Sequence, residues 1–415
     1  MAVKKSFDVI VVGGGLVGLL QSILLAQNNI SVLCIDKQDE KSVNKNPFYK
    51  RTTAISYGSQ QLLKFTDLWD QLAPYSCPIQ KIEVLDGQSP TLLKFDLDDN
   101  KEAKKANGFG WVIENQHIQD VLIKALKKLK YATYISGIGA ENIHVDGDQI
   151  HLKTSNQQSY SAKLLIGADG RQSFVRRSAD IKTESFSYNQ NAVISIIEHE
   201  NDHQNIAVEH FKSSGPFAIL PMTDGPKGQK RSSIVWTEES ETQNSILSWS
   251  DKTYLTALRQ KFPERYGDII NTTERFSYPL GFIHAQSYIA DRIALIGDAA
   301  HGIHPVAGQG LNLGLRDVAS LSELIIEARI NNTDIGDKNL LTNYQQLRKS
   351  DNSYMAFLTD GLNRLFAHKS KTMRLGRKFG LKLFSHLKPA KNHLIAQTMG
   401  TSGKIPNLMK NRKIN

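Results

Sequence analysis

Apolar and polar positions along this chain fall into two textures. Residues 7–12 (FDVIVV) are a short apolar run, Leu16 to Gln27 is apolar at helical spacing, and Ser31 to Ile35 is apolar again. Strand, helix and strand in that order predict a βαβ unit. Residues 59–73 and 115–130 carry helical spacing, the second through Ile118, Val121, Leu122, Ala125, Leu126 and Leu129, while 78–96 alternates as a strand does. The run KLLIGA at 163–168 predicts another buried strand, closed by Asp169-Gly170. From about 181 to 280 the texture changes to short strands between turns: AVISII, IAVEHF, PFAILPM and SSIVW. That predicts an antiparallel sheet inserted between parts of the first domain. Parallel-sheet character returns with IALIGD at 293–298, ahead of helices over 314–330 and 337–365 and a basic helical segment over about 366–387.

The expected class is therefore α/β, with a Rossmann-like domain of the glutathione-reductase type built from 1–77, 100–180 and 278–345. A mostly antiparallel β domain, expected to bind substrate, takes 78–99 and 181–277, and a helical basic segment takes 346–415. At 415 residues the chain is long enough for two or three domains. Its two cysteines, Cys34 and Cys77, are too few for a disulfide framework and lack metal-ligand spacing. Cys34 reads as a buried thiol, which suits a reducing, cytoplasmic setting. The apolar stretch after Lys4-Lys5 is interrupted by Asp8 and by glycines, so it reads as strand and helix rather than a signal peptide. No run of apolar residues is long enough to span a bilayer.

The net charge of +10 is unevenly distributed: 361–415 holds 13 Lys or Arg and no Asp or Glu. In TMRLGRKFGLKLFSHL, Leu375, Phe379, Leu383 and Leu387 recur every four residues beside Arg374, Arg377, Lys378 and Lys382. Such a helix either lies on an anionic membrane or packs its stripe on the protein body. Nucleic acid is not expected as a partner, since the tail has just three Phe, no Tyr or Trp, and no recognition motif.

Three strand ends carry candidate chemistry. Gly13-x-Gly15-x-x-Gly18 follows a strand and opens a helix; its glycines permit a tight turn, close approach of a pyrophosphate and close helix packing. Leu16 and Val17 complete the turn, and Asp36, followed by Lys37, is placed to accept hydrogen bonds from a ribose diol. Asp169-Gly170, followed by Arg171, Ser173 and Arg176, is a second strand-to-turn signal. The third joins Gly297-Asp298 to Pro305 and Gly308-Gln309-Gly310-Leu311-Asn312, an acid leaving a strand and then a helix start. Two glycine-rich helix starts nearly 300 residues apart suggest one elongated cofactor held at both ends, and FAD has that shape. His301 and His304 lie in the intervening turn and are weak candidates for proton transfer. His210 is more simply a sheet residue, and Arg176 with Arg177 reads equally well as a solvated pair.

These signals together resemble the class A flavoprotein aromatic hydroxylases, and HPVAGQGLNLGLRDV is similar to the signature of the ubiquinone-biosynthesis hydroxylases, most of all the UbiH-type branch. RTTAIS from Arg51, ENQHIQ from Glu114, GPFAILPM and SYPL extend the resemblance over essentially the whole chain. It implies FAD bound by Gly13, Gly15, Gly18 and Asp36 at the ADP end, with Arg51 near the pyrophosphate and ribityl chain and Asn115 and Gln119 lining the ribityl side. Asp169 is implicated in FAD and NAD(P)H binding, Asp298 in ribityl binding, and Pro305 with Gly308 to Asn312 at the reactive ring. Asp36 departs from the more usual Glu of the family. The implied reaction is NAD(P)H-driven and O2-dependent hydroxylation of a polyprenylated phenol through a flavin C4a-hydroperoxide, with no metal. Alternatives are a hydroxylase of a small soluble aromatic compound and a non-catalytic flavin-bound subunit. The expected setting is cytoplasmic and peripheral to the inner membrane, with other proteins of the same pathway as possible partners.

Overall fold

The computed structural model describes residues 5–45, 50–87, 93–212, 214–240, 246–305, 308–367 and 387–412. An eight-stranded sheet is organised around Lys5–Val12, which lies between Ser159–Gly167 and Val32–Asp36. Ala132–Ser136 extends it beyond Val32–Asp36, and Ile293–Leu295 extends it beyond Ser159–Gly167, all in parallel. The register aligns Ile35 with Val12, Val12 with Gly167, and Gly167 with Leu295. Four strands therefore stop on one line, and the turns that follow them open at the same carboxyl edge, where ligands of such sheets bind.

Helix Leu16–Gln27 has ten buried residues and almost no polar face, because it is enclosed by the sheet and by helix Gln309–Ile330. The buried Gln21 donates to Ser322 Oγ at 2.8 Å across that contact. Each fully buried Leu or Ile here contributes roughly 1.5–3 kcal/mol, so this interface dominates the positioning of the first glycine turn.

The second, nine-stranded sheet is mostly antiparallel and centred on the 17-residue strand Thr183–His199. Lys230–Glu239, Gly215–Pro221, Ile206–Lys212, Lys81–Asp86 and Leu93–Asp96 follow in order on one side. One face packs Val193, Phe217 and Trp236 against Tyr254 and Leu258 of helix Asp251–Arg259. Phe276–Ala285 pairs with Thr183–His199 along its length, so this sheet runs past the boundary expected at 277. A three-stranded sheet of Thr52–Ser56, Gly110–Glu114 and Cys77–Ile79 joins the two larger ones.

After helix Lys338–Ala367 the chain returns to the body. Helix Lys388–Met399 packs Ile395 and Met399 against Leu93, Phe95 and Phe109, and Leu408 and Met409 join the main core. The end of the C-terminal segment is thus packed on the protein. The basic stripe expected over 366–387 lies almost entirely outside the described residues. Among the described residues no helix is long and apolar enough to cross a membrane.

Candidate active site

The aligned strand ends open into a cavity of about 1100 Å³. Its walls bring together Gly15, Leu16, Val17, Arg51, Gly297, Asp298 and Pro305 with the helix start Gly308, Gln309, Gly310, Leu311 and Asn312. Gly13, Gly18, Asp36, Lys37, Asn115, Gln119 and Asp169 do not line it.

Several of those seven brace the cradle. Gly13 has φ +112°, and a Cβ there would stand 2.3 Å from the Ala168 carbonyl oxygen. Asp36 accepts from Gly14 N–H at 2.8 Å and Gln38 N–H at 2.9 Å, while burial pushes its carboxyl up from the usual range. Two lone-pair positions remain for a diol. Gln119 donates to the Gly14 carbonyl at 3.1 Å, and Asn115 accepts from Thr53 Oγ1 at 2.5 Å. Asp169 caps helix Phe174–Ser178 by accepting from Phe174 N–H and Val175 N–H at 2.6 and 3.1 Å. Lys37 is exposed.

Asn312 lines the cavity, but its amide is used by the protein. Oδ1 accepts from Ser56 N–H and Ser59 Oγ, both at 2.9 Å, and Nδ2 donates to the Ala54 carbonyl at 2.9 Å. The side chain pins strand Thr52–Ser56 to the start of helix Gln309–Ile330, and only its backbone is left to meet a ligand. Gly308 takes the left-handed conformation at φ +61° that begins this helix.

Asp298 faces Arg171, with Nε 3.3 Å from Oδ2, and Arg171 also donates to the Gly281 carbonyl at 3.0 Å. Behind that turn lies a buried ionic cluster. Asp317 accepts from Gly297 N–H at 3.0 Å, His301 Nε2 stands 2.5 Å from it, and Arg348 Nε donates to it at 2.8 Å. Asp351 joins Arg348 and Arg316 at 2.7 and 2.8 Å. The neighbouring cations hold the Asp317 carboxyl far below the ordinary carboxylate range despite its burial. His301 is therefore committed to the scaffold. His304 is buried with both ring nitrogens unpaired among the described residues, and burial lowers its pKa to about 4. Arg176, half of the pair read as equally well solvated, is buried and donates to the Ala299 and Arg171 carbonyls, each at 2.7 Å. Arg177 is exposed.

Residues 6–353 match the FAD binding domain family. The chain belongs to this family of flavin monooxygenases. It is 38% identical over 397 residues to the ubiquinone hydroxylase UbiL of Rhodospirillum rubrum, covering 96% of this chain and 90% of that one. It is 30% identical to the mitochondrial ubiquinone biosynthesis monooxygenase COQ6 of Danio rerio, covering 95% and 90%. Among solved structures, p-nitrophenol 4-monooxygenase PnpA of Pseudomonas putida shares the fold, with a TM-score of 0.76 at 18% identity and coverage of 96% and 99%.

The cradle fits the cofactor of the FAD binding domain family on its own geometry. A Cβ at Gly15 would meet nothing within 4 Å, so the turn leaves open space where a pyrophosphate has to approach. Two helices of 12 and 22 residues begin at this cavity without a side-chain cap, leaving N–H groups free for anionic ligand atoms. Asp169 Oδ1 and Gln119 Oε1 are buried without a partner among the described residues.

The antiparallel domain expected to bind substrate does supply a wall of the cavity, with residues that no motif singles out. Glu209, Phe211 and Ala218 come from the antiparallel sheet, Leu358 and Leu362 from helix Lys338–Ala367, and His393 and Leu394 from helix Lys388–Met399. Alternation in IAVEHF gives Glu209 a face, but the sequence does not say what that face looks onto.

Proposed function

We propose that this flavin monooxygenase hydroxylates the ring of a polyprenylated phenol in ubiquinone biosynthesis, with NAD(P)H as electron donor and O2 as oxygen source. One observation carries the reading: a single cavity runs from the polar cradle into an apolar end lined by Leu93, Phe95, Phe211, Leu362 and Leu394. It exceeds what one small ligand requires, and the apolar end suits an isoprenoid chain with its ring toward the cofactor. Among the described residues the one acid on the substrate side of the cavity is Glu209, on its sheet wall, which disfavours a substrate carboxylate and so argues against the small aromatic acids.

FAD supplies the redox and oxygen chemistry, and the chain's residues position it. Gly15 to Val17 would receive the pyrophosphate, Asp298 would hold the ribityl hydroxyls, and Gly308 to Leu311 would present backbone N–H groups to the ring edge where negative charge gathers on reduction. Arg171 would keep its anchor on the Gly281 carbonyl if the ribityl chain took its place on Asp298. The apolar walls exclude water. A strain lacking this gene is expected to accumulate a polyprenylated phenol one hydroxyl short of the next intermediate. The wild-type gene restores the pathway and one carrying Asp298→Ala does not; normal quinone levels in the deletion strain would refute the reading.

Membrane approach suits a substrate whose tail stays in the bilayer. The basic residues Arg374, Arg377, Lys378 and Lys382 are the proposed contact, each worth about 1 kcal/mol near an anionic surface. Replacing all four with Gln is expected to lower binding to phosphatidylglycerol-containing vesicles at least tenfold in co-sedimentation. Unchanged sedimentation would eliminate this contact.

A further inference from the structure

Strand Ile206–Lys212 turns Ala207, Glu209 and Phe211 toward the cavity, and Val208 joins the opposite core. Register places Glu209 beside Val84 on one side and Ala218 on the other, and continues the row through Val235 and Ile194 to Phe276. All six residues line the cavity, and Glu209 is the only one that can ionise. It is enclosed by the fold, and the surface it keeps is cavity surface.

Other ionisable groups are placed elsewhere. Arg51, Arg171 and Asp298 belong to the cofactor wall; Tyr278, Tyr354 and His393 line the cavity from other elements. On the opposite sheet face Glu83 is tied to Arg265 at 2.7 Å, and Lys212 stands over Phe217, 5.1 Å from its ring centre. Asp86 pairs in register with Phe211, beyond the Glu209 row. Among the described residues no charged neighbour stabilises the Glu209 carboxylate, and burial raises its pKa to about 7. A carboxylate surrounded by apolar side chains in the substrate half of a cavity costs stability, which is understandable if a ligand proton is what it meets.

We infer that Glu209 is the base that takes the phenolic proton of the bound substrate. The inference rests on the phenol-hydroxylase reading above. In this step the phenolic O–H bond breaks, its electron pair stays on oxygen, and an O–H bond forms on the Glu209 carboxylate. No electron enters or leaves. The phenolate charge conjugates into the ring and makes its carbon a better nucleophile toward oxygen transfer. A base poised near neutral pH suits that role.

The test uses FAD-loaded protein reduced with dithionite and mixed with aerated buffer containing a phenol with a short ortho-isoprenyl chain. Hydroxylated product per flavin is measured from pH 6 to pH 10. Wild type is expected to gain yield as pH rises through about 7. Glu209→Gln should keep its FAD and melting temperature but lose product formation on the order of a hundredfold at neutral pH. Its yield should recover only near pH ~10, where a phenol ionises unaided, a recovery that a packing defect would not show. Wild-type yield and pH profile in Glu209→Gln overturn the inference alone. A wild type that makes no product at any pH overturns the phenol-hydroxylase reading and this inference with it.

Discussion

Asp317→Ala is expected to destabilise the protein by about 3–5 kcal/mol, because it leaves the buried Arg348 guanidinium without its principal counter-charge. Arg348 is 2% exposed and keeps only Asp351 and Asn352 as partners once Asp317 is gone. His301 and the Gly297 N–H lose their acceptor in the same change. If the chain unfolds as one unit, its size makes that a fall of about 5 °C in Tm. The effect has a defined pH dependence. Asp317 is held ionised far below its ordinary pKa, so its contribution is complete above pH ~4, the unfolded-state value, and drains away as pH falls further. The gap between wild type and variant should therefore be full at pH 7 and narrow at pH 3. Thermal melts at both values check this, and a variant melting within a degree of wild type at pH 7 would remove Asp317 from the scaffold.

The second large effect separates two glycines of one turn. Gly15 has φ −72° and ψ 178°, which Ala adopts freely, and a Cβ there touches no protein atom within 4 Å. Gly15→Ala should leave the apoprotein melting at or slightly above wild type, since Ala narrows the unfolded ensemble. Its methyl group stands where the pyrophosphate must come. A steric cost of 1–3 kcal/mol weakens FAD binding by roughly ten- to a hundredfold. Gly13→Ala meets the opposite situation, a strained φ of +112° and a backbone oxygen at 2.3 Å. It should lower the apoprotein Tm itself. Flavin fluorescence titrations beside apoprotein melts distinguish the two. Equal losses of apo stability in both variants would mean that the space over Gly15 is not a ligand site.

What the sequence reveals follows how local each signal is. Leu16–Gln27 is predicted to the residue because a glycine turn begins it and apolar spacing runs its whole length. Helix Gln309–Ile330 begins in the glycine-rich motif read as a helix start, five residues before the 314 at which apolar periodicity sets in. The hairpin Ala140–Asp146 and Gln149–Thr154, absent from the predicted elements, has a local signal in Gly147 and Asp148 between two alternating runs. Asp317 carries no such signal. It sits in a helix with ordinary spacing, and its partners are 16 and 31 residues away. Asn115 and Gln119 show the same limit: sequence brings them near the cofactor, and only the fold shows them under the loop.

The wall contributed by His393, Leu394 and Thr398 faces the same space as Gly15, close to four hundred residues earlier in the chain. During synthesis the first glycine turn emerges long before that wall exists. The cavity lacks this wall until the last few dozen residues leave the ribosome. The wall built by helix Lys388–Met399 is therefore the last to form, and a chain stalled before Lys388 would leave the apolar end of this cavity exposed.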